Sequence, residues 1–461
     1  MVDLLHIDEA SRTPIYKQLY DQIKSLIEAN RLPFGHRLPP TREMAGTLGL
    51  NRTTVSAAYD LLEKDGLIRG HVGRGSFVAQ ISETNPSAKK PSTIINFDTS
   101  RPANDLFPLE AFRQSALEVL AGDGLESILQ LGSPLGYEPL RRYLNEQNEA
   151  NSVLITNGAQ QALDLIQRAL TLPGDLILVE DPVYPGVREI FHNAGARLLG
   201  VPVTSEGLDL DELNRAIRRE RPKIAVLTPN FQNPTGVTLP LDSRIKLLEI
   251  LTANGVTIVE NDIYTELRYK GQPIPSLKQL DESGQVIQLG SFSKVSFPGL
   301  RVGWILAPQS VIARLAEAKQ WADLHTDHLS QAILLEFALS GRLESHKRRV
   351  IESGRERLQA TLEACKTLLP GDATFTQPEG GMNLWLTLPT NAVELLESTR
   401  REGVTFLPGK FFAVSRPHDQ SLRLSFAGLD PNQIRQGIAV IAKQARAQRA
   451  PIFYQSAMAI V

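Results

Sequence analysis

Near the start of the chain, Ile15, Leu19, Ile23, Leu26 and Ile27 recur at helical spacing and predict one amphipathic helix between Pro14 and Ala29. Pro33-Phe34-Gly35 ends it. Thr41 starts a short helix running from Arg42 to Leu48, which Gly49 is placed to close because glycine accepts the left-handed conformation at a helix end. Asn51 caps the next helix, whose Val55, Ala58 and Leu62 face inward. Two short helices around a glycine turn have the layout of a helix-turn-helix. Residues 67–78, LIRGHVGRGSFV, then predict a hairpin, with two short apolar strands around Gly70, Gly73 and Gly75.

The apolar period lapses from Gln80 to Thr93, a polar stretch with two prolines that reads as an extended linker. From about Asn151 onward, apolar runs alternate with helical patterns. The strands expected are Leu176–Val179, Ile224–Leu227, Thr257–Val259, Val286–Leu289 and Gly303–Ala307, with helices such as Gln161–Leu170 and Ser243–Ala253 between them. This alternation predicts an α/β domain with a mostly parallel sheet covered on both faces. Ligands bind beyond the carboxyl ends of such strands. The polar segments TPNFQNPTG, ENDIY and SFSK, which follow three of these strands, should therefore meet at one edge.

A chain of 461 residues exceeds one ordinary core, so two or three domains are expected. Its formal net charge of −2 gives no general attraction to nucleic acid, but the charge is not even. Between Arg31 and Arg74, seven Lys or Arg stand against four Asp or Glu, a local excess of three positive charges. The single Cys365 excludes an intrachain disulfide and a multi-cysteine zinc site. His325 and His328 form a His-x-x-His pair that a helix brings together without any metal, and no metal site is assigned. There is no signal-like segment and no run of about 18 apolar residues, so no membrane partner and a cytoplasmic location are expected.

The candidate chemistry centres on residues 291–304, SFSKVSFPGLRVGW. A lysine amine condenses with an aldehyde to form an imine, and Lys294 stands among the phosphate-binding types Ser291, Ser293 and Arg301. That combination suits an aldehyde-phosphate cofactor. Ala159 and Gln160 lie at a helix start whose free N–H groups favour a phosphate. Asn233, Tyr264, Tyr184 and Arg423 are further candidates. Taken singly, each has an ordinary alternative: a capped helix, an Asn-Pro turn, a strand-end aromatic, a strand arginine. In the first eighty residues or so, Arg52 and Thr53 open the recognition helix, where side chains reach base edges, while Arg42 and Arg74 suit phosphate or minor-groove contacts.

Helix, helix-turn-helix and hairpin follow one another in winged-helix order. The strings PxYxQ, LPPTREMAGTLGLNRTTVSAAYDLLEKDGLI and GRGSFV resemble the GntR family of bacterial regulators. The segments NPTG, ENDIY and SFSK, in that order within residues 96–445, resemble the fold-type I aminotransferases, nearest to the branch handling aminoadipate and kynurenine. Together they resemble the MocR subfamily. The resemblance implies a winged helix-turn-helix over residues 1–79, a linker over 80–95, an effector domain of the aminotransferase fold over 96–448 and a tail over 449–461. That domain should hold a large, doubly wound, mostly parallel sheet and a smaller α+β part. The implied partners are pyridoxal 5'-phosphate on Lys294, double-stranded DNA, a second copy of the chain in a homodimer, and an amine or amino acid as effector. The aminotransferase resemblance also implies that Asn233 and Tyr264 donate to the cofactor's phenolic oxygen, that Tyr184 stacks on its ring and that Arg423 binds a carboxylate.

Two positions depart from the resemblance. Relatives carry Asp, facing the pyridine nitrogen, where this chain has Asn261, and Asp262 next to it should point to the opposite face of the strand. Relatives carry Tyr, reaching the phosphate across the dimer, where this chain has Leu131, so Tyr137 or another residue would have to serve. A regulator that binds the cofactor but turns over poorly is the expectation. The alternative is an active aminotransferase with an accessory DNA-binding domain.

Overall fold

Helix α1 (Ile15–Glu28) turns Leu19, Ile23 and Ile27 into the core of the first unit, as its apolar stripe requires. The computed structural model describes residues 5, 7–8, 13–28, 31–33, 35–71, 75–78, 94–148 and 152–449. Helix α2 (Thr41–Leu48) closes on Gly49 at φ 69°, whose N–H donates to the Ala45 carbonyl. Helix α3 (Arg52–Lys64) is capped by the Asn51 side chain, which accepts from the Thr53 N–H. Strands β1 (Ile68–His71) and β2 (Gly75–Val78) pair antiparallel, Ile68 opposite Val78. The chain around Leu38 adds a further edge, since Leu38 N–H donates to Ser76 O at 2.9 Å. Val55, Ala58, Leu62, Ile68 and Val78 complete this core. The expected linker over 80–93, the hairpin tip at 72–74 and the tail from 450 lie outside the described residues.

The chain divides into two compact units, Met1–Ser92 and Thr93–Val461. Strand β3 (Ile95–Asn96) belongs to the second, so the expected linker stops short of residue 95. The main sheet comprises β4 (Val153–Asn157), β5 (Leu176–Asp181), β6 (Arg197–Thr204), β7 (Gly207–Leu208), β8 (Ile224–Leu227), β9 (Thr257–Asn261), β10 (Val286–Ser291) and β11 (Val302–Leu306). Their spatial order is 4-11-10-9-8-5-6-7. Neighbours from β10 through β9, β8 and β5 to β6 are parallel. β11 runs antiparallel to β10 and β4, because residues 292–301 are too short a connection for a crossover.

Alternate residues along these strands feed two different cores. Ile177, Val179, Val226, Val259 and Ile287 pack with Leu163 and Ile166 of the helix Gly158–Leu170. Leu178, Ala225, Leu227, Ile258 and Val286 pack with Leu247 and Leu251 of the helix Leu241–Ala253. Helices thus cover both faces, the doubly wound arrangement.

The smaller part of the second unit contains β12 (Thr374–Phe375), β13 (Asn383–Thr387), β14 (Val404–Thr405), β15 (Leu407–Pro408) and β16 (Ser421–Ser425). Four of these form an antiparallel sheet in the order 12-13-16-15, while β14 pairs in parallel with β3. The helices Arg342–Leu368 and Pro431–Arg449 bury Leu358, Ile434, Ile438 and Ile441 in the core beneath it. Among the described residues no helix is long and apolar enough to cross a membrane.

Candidate functional site

The carboxyl ends of β4, β5, β8, β9 and β10 open into one cavity of about 520 Å³, whose other wall is the smaller sheet. Ala159 and Gln160 follow β4, Tyr184 follows β5, Asn233 follows β8, Asn261 ends β9 and Ser291 ends β10. Tyr264, Lys294 and Arg301 come from the loops beyond, and Arg423 from β16. All nine residues expected to serve the cofactor, together with Arg423, line this cavity.

Lys294 is half-buried in the wall, and its Nζ donates to the main-chain oxygen of Ser100 at 2.7 Å. Burial, reinforced by the nearby Arg423 and Arg301 charges, pulls its amine down to about 8. At that value roughly a tenth of the amine is neutral at pH 7, far more than for an ordinary lysine, and the neutral amine is the nucleophile. The amine sits 5.5 Å from the centre of the Tyr264 ring. Asn233 Nδ2 donates to the Tyr264 hydroxyl at 3.4 Å, and Arg423 Nη1 donates to Asn233 Oδ1 at 3.1 Å. Arg423 is buried, its Nη2 donates to the Asp98 carbonyl, and its Nε has no partner among the described residues.

Hydrogen-bond donors and a guanidinium gather at the start of the helix Gly158–Leu170. Arg301, itself at φ 55°, reaches Ser293 Oγ at 3.5 Å, and Ser291 Oγ accepts from the Ser293 N–H at 3.1 Å. A Cβ on Gly158 would stand 2.4 Å from Arg301 Nη2 and would have to push the guanidinium aside, and at φ 74° the position favours glycine in any case.

Asn261 is 5% exposed. Its Nδ2 donates to Thr228 Oγ1 at 3.3 Å, while its Oδ1 has no hydrogen-bond partner among the described residues. Asp262 points the other way, as strand parity predicts. It accepts from Asn230 Nδ2 at 2.9 Å and from Gln288 Nε2 at 3.1 Å, outside the cavity. Tyr137 is not among the cavity-lining residues of its own chain and packs against His328 instead, ring centres 5.6 Å apart. Sequence reasoning missed Asp98, Thr99, Ser100 and Phe412 on the cavity wall. Ser100 and Asp98 act through main-chain carbonyls, which carry no residue-type signal.

In the first unit Arg42, Arg52 and Thr53 are exposed at the starts of α2 and α3, and the Thr53 hydroxyl donates to Asn51 Oδ1 at 2.9 Å. Arg74 lies outside the described residues.

Comparison with known proteins agrees with both halves. Residues 15–78 match the model of bacterial regulatory proteins of the gntR family, and residues 92–441 match aminotransferase class I and II. The fold and the cavity define a gntR-type winged helix-turn-helix followed by a fold-type I aminotransferase domain, a fold whose cofactor is pyridoxal 5'-phosphate. The chain is 30% identical over 475 residues to the probable rhizopine catabolism regulatory protein MocR of Rhizobium meliloti, covering 94% of each. It is 41% identical over 355 residues to a 2-aminoadipate transaminase of Thermus thermophilus, covering 75% of this chain and 88% of the relative. The crystal structure of the α-aminoadipate aminotransferase LysN of Thermus thermophilus, complexed with N-(5'-phosphopyridoxyl)-L-leucine, superposes with a TM-score of 0.75 at 38% identity. The match covers 77% of this chain and 93% of that one. The chain belongs to the aminotransferase class I and II family and, through its gntR-type N-terminus, to the MocR subfamily of GntR transcriptional regulators.

Proposed function

We propose that the second unit binds pyridoxal 5'-phosphate through Lys294, senses either that cofactor or an amine or amino acid, and turns over poorly as a transaminase. The observation that carries this reading is the neutral Asn261 at the position facing the cavity, with its amide oxygen unpartnered. The residues present fit the cofactor: an enclosed amine near its titration point, a guanidinium beside a glycine-started helix, and a buried amide with an acceptor to spare.

When bound, the cofactor supplies an aldehyde for an amine and a ring that withdraws electrons from it. Lys294 provides the amine that receives the aldehyde. Ser291, Ser293, Arg301 and the N–H groups of Ala159 and Gln160 bind the phosphate. Asn233 and Tyr264 orient the phenolic edge, Tyr184 covers the ring, and Arg423 takes the effector's carboxylate. Asn261 can exchange a hydrogen bond with the ring nitrogen but offers no negative charge to keep it protonated. The electron demand on which proton abstraction depends is therefore reduced, while binding is spared.

The first unit reads DNA, with Arg52 and Thr53 toward base edges and Arg42 and Arg74 toward the backbone. Leu131 and Trp321 are 83% and 85% exposed, apolar surface that suits a second copy in a homodimer. An active aminotransferase with an accessory DNA-binding unit is the second reading, favoured by the otherwise complete set Lys294, Asn233, Tyr264 and Arg423 in the cavity. Transamination by purified Asn261→Asp separates the two. The regulator reading expects turnover to rise on the order of tenfold or more, the scale of one charge-assisted contact to the ring. Rapid multiple turnover in the unaltered protein, with no gain in the variant, overturns it.

A further inference from the structure

The short stretch that opens the second unit is hydrogen-bonded to both cations that the ligands need. β3 begins at Ile95, held by Ile95 N–H to Gly403 O at 2.8 Å and Phe97 N–H to Thr405 O at 2.9 Å. Immediately after it, the Asp98 carbonyl accepts from Arg423 Nη2 and the Ser100 carbonyl accepts from Lys294 Nζ at 2.7 Å. The Ser100 side chain is tied as well, its Oγ 2.6 Å from Asn383 Oδ1 and 2.9 Å from Ser425 Oγ. Main-chain oxygens two residues apart thus accept from the amine and from the guanidinium.

We propose that residues 97–100 form a latch on Lys294: the Ser100 carbonyl holds the amine, and it is released when that amine condenses with the cofactor's aldehyde. The inference rests on the reading above, in which Lys294 takes the cofactor's aldehyde and Arg423 a carboxylate. Lys294 as an ammonium has three hydrogens to donate. Once the amine has condensed with an aldehyde, with a carbon–nitrogen double bond formed and water lost, the nitrogen keeps at most one hydrogen and is tethered to the cofactor. The bond to Ser100 O is then lost. Arg423 has donors to spare, its Nε being unpartnered among the described residues, so it can pair with a carboxylate and keep Asp98 O; the release is carried by Lys294. The stretch stays anchored by β3 on one side and by the Ser100 hydroxyl on the other, so the release is local. It falls at the edge of the second unit that continues in sequence into the expected linker.

Hydrogen exchange of the full-length protein, read by mass spectrometry over residues 94–101, tests the latch. Absorbance and borohydride fixation on the same samples report whether cofactor has been captured. Loading with pyridoxal phosphate is expected to speed exchange there on the order of tenfold, the worth of one hydrogen bond to a charged group, and to leave β8 and β9 unchanged. Lys294→Met removes the donor without capturing aldehyde, so it should exchange fast without cofactor and ignore its addition. Ser100→Ala removes the second tether and should enlarge the response to loading. If cofactor is captured and exchange at 94–101 does not change, the latch is overturned while the cofactor reading stands. If nothing is captured on Lys294, both fall.

Discussion

At the scale of single residues, the site is governed by what surrounds two nitrogens and one amide. Lys294 is kept near its titration point by enclosure and by two like charges, so its reactivity follows pH in a defined direction. The neutral amine is the reacting form, and the folded pKa, about 8, lies below the usual lysine value. The rate of cofactor capture should therefore climb through pH 8 and level off above it. Stopped-flow absorbance across this range checks the prediction, and a rate that keeps climbing to the pH of an ordinary lysine contradicts it. Asn261 and Asp262 show how far strand parity reaches. With Ile258 and Val259 already assigned to opposite cores, Asn261 has to face the cavity and Asp262 has to leave it. The departure at 261 could therefore be read from sequence. The partners of Lys294 and Arg423 could not, since both are main-chain oxygens almost two hundred residues or more away in sequence.

Among the elements, glycines at two helix ends carry much of the local geometry. Gly49 adopts φ 69° between α2 and α3, where a side chain costs about 1–2 kcal/mol, so Gly49→Ala should lower the stability of the first unit by about that amount in denaturant melts. Gly158, at φ 74°, opens the helix beside Arg301. Gly158→Ala should push the guanidinium aside and weaken cofactor binding by about tenfold, the loss of one charge-assisted contact. Titration of absorbance against added pyridoxal phosphate measures this, and an unaltered affinity would contradict the role proposed for Arg301 at the phosphate. Strands with a single apolar run, such as Ile224–Leu227, were legible in the sequence because both their faces are buried. β6 (Arg197–Thr204) was not: most of its residues are only partly buried, so its pattern is mixed. β4 escaped notice because its apolar core is short and runs straight into the polar Thr156-Asn157 that starts the next helix.

For the molecule as a whole, two sequence patterns of different period sit in one chain, and each specifies its own core. The helical stripe and glycine hairpin of the first unit, and the alternation of strand and helix in the second, were each sufficient to indicate a fold. What they did not indicate was how the smaller sheet closes the cavity, because β12, β14 and β15 are two-residue strands whose pairing depends on contacts far apart in sequence. The account of function depends on Lys294 becoming covalently occupied. The direct measurement is the absorbance spectrum of the full-length protein incubated with pyridoxal phosphate, followed by borohydride reduction and peptide mass spectrometry. A yellow protein whose cofactor mass is fixed on Lys294, and on no other lysine, is the predicted result. A colourless protein, or cofactor scattered over surface lysines with Lys294 unmodified, would contradict it.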